Sequence, residues 1–377
     1  MLNVTAEVME GRFWFANSYA EAAGRFLIAC DDLRNAGHKV ENERLEIGMT
    51  GPDGEPLCID VAVVGSLQSG KVLLSSSGVH GVEGYPGSAI QLAVMDDLCK
   101  QESFKDHAII FVHIINPYGM AWWRRFNENN VDLNRNFLKR GQKYEGVTEG
   151  YENVREFINP ESPPPQKERW FKLKSLNLIR KYGFNNLKQW IAEGQYEYPK
   201  AIQYGGNCLQ PGPDLLLNWL DKKLESISHI WAIDLHTGLG PSGHDTLLVS
   251  AGMGPDDFTH LDALFPGHVE SLDPNAGVGY EILGDLHQGL EDRYNKSKWT
   301  SITQEFGTFK PIKVLQATRA ENRWTHWGLH MNEMDARRHW SREQMLRAFN
   351  PKDSVWQHKI TSRGRAVFNA ARTDLLS

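Results

Sequence analysis

Residues 71–87 read KVLLSSSGVHGVEGYPG, and the way this stretch is read decides the fold. The short apolar run 72–74 predicts a strand, the Ser/Gly turn after it presents His80 and Glu83 in H-x-x-E spacing, and a helical pattern starts near Gly87. A strand that passes through a turn into a helix is an α/β unit, and such proteins carry chemistry at the carboxyl ends of their strands. Gly78, Gly81 and Gly84 let the turn bend tightly and admit the close approach of a ligand. The spacing alone is weak, because His38/Glu41 and His330/Glu333 repeat it. His38 lies in a polar segment and His330 in a mixed amphipathic one, so both are expected on a solvated face. Only His80 follows a buried-looking strand.

The neighbouring segments extend the α/β reading. An amphipathic helix is expected over 17–35, a strand over 57–64, and a helix over 88–98. The run AIIFVHII, 108–115, is apolar without alternation, as in a strand buried on both faces, and its His113 is expected to be a satisfied core residue. IWAIDL, 230–235, is a second such strand and ends in His236. That histidine supplies what H-x-x-E lacks: His80, Glu83 and His236 make a His₂Glu set of the kind that holds zinc and leaves a position for water. Asp234, two residues earlier, is expected to buttress the strand end. Further strands are expected over 247–250 and 301–306, with a helix over 285–293 between them. Strand 301–306 brings Glu305 to its end between apolar Ile302 and Phe306, a setting for a candidate base.

Polar residues crowd around Trp122 and Trp123 in 116–137, where Arg125, Asn134 and Arg135 offer donors suited to carboxylates and oxyanions. Composition then shifts toward Lys, Glu, Tyr and Gly over 138–213, which reads as an insertion with a Pro163-Pro164-Pro165 break and a helix over 170–194. Its last part, GQYEYPKAIQYGG, 194–206, is either a lid over a pocket or plain surface packing. The tail, 313–377, is helical by pattern and is assigned no chemistry. A single domain over 1–377 is expected, carrying the 138–213 insertion and this tail.

With 377 residues, 41% hydrophobic, 23% charged and a net charge of −6, the chain is of ordinary globular type. No Lys/Arg block stands out, which argues against a nucleic-acid or anionic-membrane surface. No stretch has the ~20 apolar residues of a membrane span and the start lacks a signal-peptide pattern, so a cytoplasmic protein is expected. Cys30, Cys58, Cys99 and Cys208 show no C-x-x-C spacing and are expected to be buried thiols, which leaves His and carboxylate as metal ligands. P-loop, G-x-G-x-x-G, G-x-S-x-G and H-E-x-x-H patterns are absent, as are internal repeats.

The ordered set His80-x-x-Glu83, Arg125, Asn134-Arg135, His236, Tyr280 and Glu305, with VDLNRNF at 131–137, resembles the zinc carboxypeptidase (carboxypeptidase A-like) metallopeptidase family. FANSYAEAAGRF and the 194–206 loop look like an uncharacterised, mainly bacterial branch of it. The resemblance implies a three-layer α/β/α fold around a twisted, mostly parallel mixed sheet, with one Zn²⁺ held by His80, Glu83 and His236. It further implies that Asp132 hydrogen-bonds a ligating histidine, Arg125 stabilises an oxyanion, Asn134 and Arg135 grip a substrate carboxylate, and Glu305 is the general base. Tyr280, in a Y-x-x-x-G setting before Gly284, resembles the family's mobile tyrosine, although its distance from Glu305 departs from the pattern. The activity implied is cleavage of a C-terminal peptide or amide bond of a small peptide. The alternatives are deacylation of an N-acyl amino acid, as in the desuccinylase and aspartoacylase relatives, and a non-catalytic metal-binding protein on the same fold.

Overall fold

The computed structural model describes residues 13–272 and 282–377. The strands are β1 (Val40–Thr50), β2 (Pro56–Gly65), β3 (Lys71–Ser77), β4 (Ala108–Val112), β5 (His229–Gly238), β6 (Asp245–Val249), β7 (Val269–Ser271) and β8 (Lys298–Gly307). The first helices are α1 (Tyr19–Asn35), α2 (Gly84–Cys99), α3 (Pro117–Trp122), α4 (Glu149–Ile158), α5 (Phe171–Tyr182) and α6 (Phe184–Ala192). They are followed by α7 (Pro211–Leu224), α8 (Pro255–Leu264), α9 (Leu286–Arg293), α10 (Pro311–Trp327), α11 (Glu333–Arg337), α12 (Trp340–Phe349) and α13 (Ser354–Leu376).

The strands form one mixed sheet in the order β1-β2-β4-β3-β5-β8-β6-β7. Its centre, β4-β3-β5-β8, is parallel throughout, while β1/β2, β2/β4 and β8/β6 are antiparallel. Because successive side chains leave a strand on opposite faces, the continuously apolar central strands feed two cores. Leu73, Ile109, Phe111, Trp231 and Ile233 pack with α1, α2 and α13 on one face. Val72, Leu74, Ile110, Ile230 and Ala232 pack with α7 and α9 on the other. The result is an α/β/α sandwich, as the resemblance implies.

Several sequence expectations need correction. The strand 40–50 carries no hydrophobic strand signal, because VENERLEIGMT buries only Leu45, the pattern of a solvated edge strand. The helix expected over 170–194 is two helices, broken at Gly183, whose φ of 81° lies in the left-handed region. The run 108–115 pairs only to Val112; His113 lies just beyond the strand end, fully buried, with Nε2 2.7 Å from Ser88 Oγ and its ring stacked on Phe26. His38 is buried rather than solvated, its Nε2 2.9 Å from the Leu98 carbonyl oxygen. Cys30 and Cys58 are buried free thiols as expected, but Cys99 is half-buried and Cys208 exposed. Among the described residues no helix is long and apolar enough to cross a membrane.

Candidate metal centre and active site

Adjacent parallel strands end on one edge of a sheet, so β3, β5 and β8 deliver their carboxyl ends to one place. His80 lies three residues beyond β3 and Glu83 ends the short turn 81–83, while His236 and Glu305 face each other in the β5/β8 register. The turn rests on α3: a Cβ on Gly81 would come within 2.2 Å of Gly119 backbone. The close approach that Gly81 permits is therefore helix against turn, which fixes how His80 and Glu83 leave the chain.

The donor atoms of His80, Glu83 and His236 all lie within 4.8 Å of one another, and the three residues are buried. His80 Nδ1 is 3.1 Å from Glu83 Oε1, and His236 Nδ1 is 3.3 Å from Glu83 Oε2. Tetrahedral ligands at zinc's usual N and O bond lengths stand about 3.3 Å apart, so these spacings suit the ion. His80 Nδ1 is sealed from solvent and has no hydrogen-bond partner among the described residues. The outer ring nitrogens are each fixed by a carboxylate: His80 Nε2 lies 3.0 Å from Asp132 Oδ1, and His236 Nε2 lies 2.6 Å from Asp234 Oδ2. Carboxylate–histidine pairs of this kind set ring orientation and leave the inner nitrogen for a cation. The donor set therefore fits a divalent metal.

Asp132 stands where the resemblance puts it, beside His80. Asp234 accepts a 2.7 Å hydrogen bond from Ser76 Oγ on the neighbouring strand, the buttress expected of it, and holds His236 Nε2 as well. The signal was present in the sequence, since Asp234 and His236, two apart on β5, must share a face.

Electrostatics here are dominated by buried carboxylates. Burial alone would raise Asp132 and Asp234, but the adjoining histidines and, for Asp132, Arg135 and Arg125 hold both below the usual range. Glu83 is likewise held far down against the pull of burial by His80, His236 and Arg125. Glu305 goes the other way: burial pushes it up to about 7, the Glu83 charge adds to the rise, and His236, the Leu239 N–H and Arg125 oppose it. Leu239 N donates a 2.7 Å hydrogen bond to Glu305 Oε1, so the carboxyl is oriented as well as perturbed.

Arg125 is part of the cluster. Its Nη1 donates to Glu83 Oε1 at 2.8 Å, its Nη2 is 2.8 Å from His80 Nε2, and its guanidinium sits 5.8 Å from the ring centre of Phe349. Asn134 and Arg135 border the same cavity, but Asn134 Oδ1 and the Arg135 guanidinium hold the protein to itself. Asn134 Oδ1 accepts from Leu286 N; Arg135 donates from Nη1 to Asn134 O at 2.7 Å and from Nε and Nη2 to Ala192 O, the last residue of α6. Tyr280 lies outside the described residues. The 194–206 loop packs against 130–136: Asp132 N donates to Tyr204 O, and Tyr196 Oη to Arg135 O.

The tail, given no role from sequence, reaches the site. Phe349 of α12 borders the cavity, and its carbonyl accepts from Thr237 Oγ1 next to His236. Arg342 of α12 and Arg124 flank Glu321 of α10, at 3.2 and 2.9 Å, all three buried. Arg124 lies 197 residues from Glu321, a separation that gives no periodic signal to read.

Fold and site together define an α/β protein with a His-Glu-His cluster at its strand ends. Over residues 15–363 the sequence matches the family described as protein of unknown function (DUF2817), and the chain belongs to that family. No curated protein matches it. Among solved structures it is similar to carboxypeptidase A from Helicoverpa armigera, at 13% identity and a TM-score of 0.45 over 93% of this chain and 74% of that one. It is also similar to an aspartoacylase family protein from Mesorhizobium loti, at 18% identity, a TM-score of 0.37, and 78% and 68% of the two chains. A third is murein-tripeptide amidase from Escherichia coli, at 17% identity, a TM-score of 0.36, and 75% and 92% coverage.

Proposed function

We propose that this chain is a zinc-dependent hydrolase that cleaves the amide bond to the terminal amino acid of a small substrate. His80, Glu83 and His236 hold the metal, and Glu305 is the general base. The observation that carries the reading is the convergence of two buried ring nitrogens on Glu83 while both outer nitrogens are tied to carboxylates. When bound, zinc supplies Lewis acidity toward water and the scissile carbonyl.

The chain's own residues do the rest. Glu305, opposite His236 at the strand ends, accepts a proton from the attacking water and returns it to the leaving nitrogen. The Leu239 N–H holds Glu305 Oε1, leaving Oε2 for that transfer. Arg125, whose guanidinium borders the cluster, serves as the donor to the oxygen on which negative charge develops, a role typically worth about 3 to 4 kcal/mol. Asp132 and Asp234 keep the histidine rings turned inward.

A second reading, deacylation of an N-acyl amino acid, breaks the same bond and differs in which side of it is recognised. It is favoured by the apolar side chains that border the cavity beside the cluster, Phe157, Ile179, Leu187 and Ile191 among them, which suit an acyl group. The test is amino-acid release from a mixed panel of peptides and N-acyl amino acids by the zinc-loaded protein, with Glu305→Gln beside it. Release by the wild type and none by the variant is expected. Wild-type turnover in Glu305→Gln would sink the mechanism.

A further inference from the structure

The cavity that opens from the His-Glu-His cluster has a volume of about 440 Å³, the scale of a small-molecule site. Its composition is uneven. Charge is concentrated at the strand ends, and segment 138–213 adds Lys172 and Lys188; the rest of the walls built by that segment and α10 is mainly hydrocarbon: Phe157, Ile179, Leu187, Ile191, Val314 and Leu315. These residues also pack with one another in a single apolar cluster, apart from Val314, which joins the neighbouring one.

The few hydroxyls on these walls are already used. Ser175 Oγ donates to Phe171 O at 2.8 Å within α5, and Thr318 Oγ1 donates to Val314 O at 3.2 Å within α10. An extended peptide lying here would bring one N–H and one C=O per residue to walls whose polar groups, beyond Lys172 and Lys188, offer them little, and unpaired buried amide groups are costly. A hydrocarbon chain needs no such partners. One polar atom stands out: Gln203, which borders the cavity, has a buried Oε1 without a hydrogen-bond partner among the described residues. A lone acceptor matches a substrate with a single amide head group.

The cavity also has an apolar entrance. Leu176 and Phe184 border it while being 51% and 56% exposed, so they lie where the wall meets solvent. Leu173 and Trp170, on the same stretch, are 50% and 65% exposed. Large apolar side chains left outside in this concentration mark a binding surface rather than ordinary packing.

We propose that the substrate is an amphiphile, an amino acid N-acylated by a long aliphatic chain, and that the chain enters past Leu176 and Phe184 and lies along α5, α6 and α10. This deepens the proposed function and rests on it, because it takes the cluster of His80, Glu83, His236 and Glu305 as the place where the amide is cut. Hydrolysis adds water across that amide, giving a free fatty acid and a free amino acid. Segment 138–213 is then the part of the chain that selects substrate.

Two measurements made in parallel separate the inference from its basis. The zinc-loaded enzyme is assayed on acetyl, hexanoyl, decanoyl and tetradecanoyl derivatives of one amino acid, and binding of the same compounds to Glu305→Gln protein is followed by calorimetry. Each methylene buried is expected to raise kcat/KM and affinity about threefold to fourfold until the cavity is filled. The double variant Leu176→Ser, Phe184→Ser, altered only at exposed positions, should flatten that rise. Affinity that climbs with chain length without turnover of any compound would support the chain site and remove the hydrolase reading. Turnover of acetyl derivatives or peptides with no chain-length dependence in either measurement would overturn the chain site and leave the hydrolase reading standing.

Discussion

Arg124 and Arg125 are neighbours in sequence and serve two different buried charge clusters. Arg125 turns to Glu83, His80 and Asp132 at the strand ends; Arg124 turns to Glu321 and, through it, to Arg342. In the Arg124 cluster the outward donors are taken up by packed protein: Arg124 by Asn127 O and Asn130 Oδ1, Arg342 by Trp122 O and Thr325 Oγ1. It binds the helical tail to the loop that carries Arg125. In the strand-end cluster the inward atoms face a cavity, and carboxylates outnumber guanidinium groups. Burial and charge are common to both clusters, so neither property marks function. What differs is whether the polar atoms converge on protein or on a space.

The sharpest way to break this comparison is to remove one group from the strand-end cluster. Glu305→Gln is expected to retain metal and lose turnover by about 100-fold to 10,000-fold, the scale of a general base. His236→Ala is expected to lose both metal and turnover, and elemental analysis beside an activity assay reads the two apart. Equal metal loss in both variants would place Glu305 among the ligands instead.

In the other cluster the expected loss is stability. Glu321→Ala leaves Arg124 and Arg342 buried without their shared carboxylate, and breaking a buried pair costs about 3 to 5 kcal/mol. The denaturant midpoint should fall accordingly, with zinc affinity of the folded fraction unchanged. A shift under about 1 kcal/mol would mean that the triad sits on a surface-like site.

Asp234→Asn sharpens the comparison from within the site. It removes the carboxylate that fixes His236, so zinc affinity should drop about 10-fold to 100-fold while the fold is retained. Unchanged affinity in a competitive chelator titration would return Asp234 to the strand-buttressing role read from sequence.

Much of this arrangement was legible in the sequence because short-range rules govern it. H-x-x-E after a strand, a histidine ending IWAIDL and a glutamate ending 301–306 are each local patterns, and parallel neighbours must end together. VDLNRNF added Asp132 by resemblance, and His80 does contact it. What stayed hidden depends on contacts far apart in the chain. Glu321 finds Arg124 across 197 residues, and Phe349 comes to Arg125 from a tail with no motif. The 138–213 segment showed its helices but not its partner surface: alternation and period say which face is apolar, not that part of it lines a cavity.

Smaller effects complete the contrast. Burial would raise the Glu321 carboxyl, but Arg124 and Arg342 together hold it below its ordinary value of 4.5. A carboxyl depressed in the folded state lends stability above the unfolded value and loses it as pH falls through the folded one. Wild-type stability should therefore drop below pH 4.5 more steeply than that of Glu321→Gln, as measured by denaturant midpoints across pH. Parallel curves would contradict the linkage. At the far end, Arg347→Ala removes an exposed partner of Glu343 on α12 and should change stability by at most about 0.5 kcal/mol.

The most direct test of the central claim is metal content, determined by elemental analysis on purified protein before and after zinc reconstitution. About one zinc per chain is expected, abolished in His80→Ala and retained in Glu305→Gln. A folded wild-type chain that takes up no divalent metal after reconstitution would contradict it.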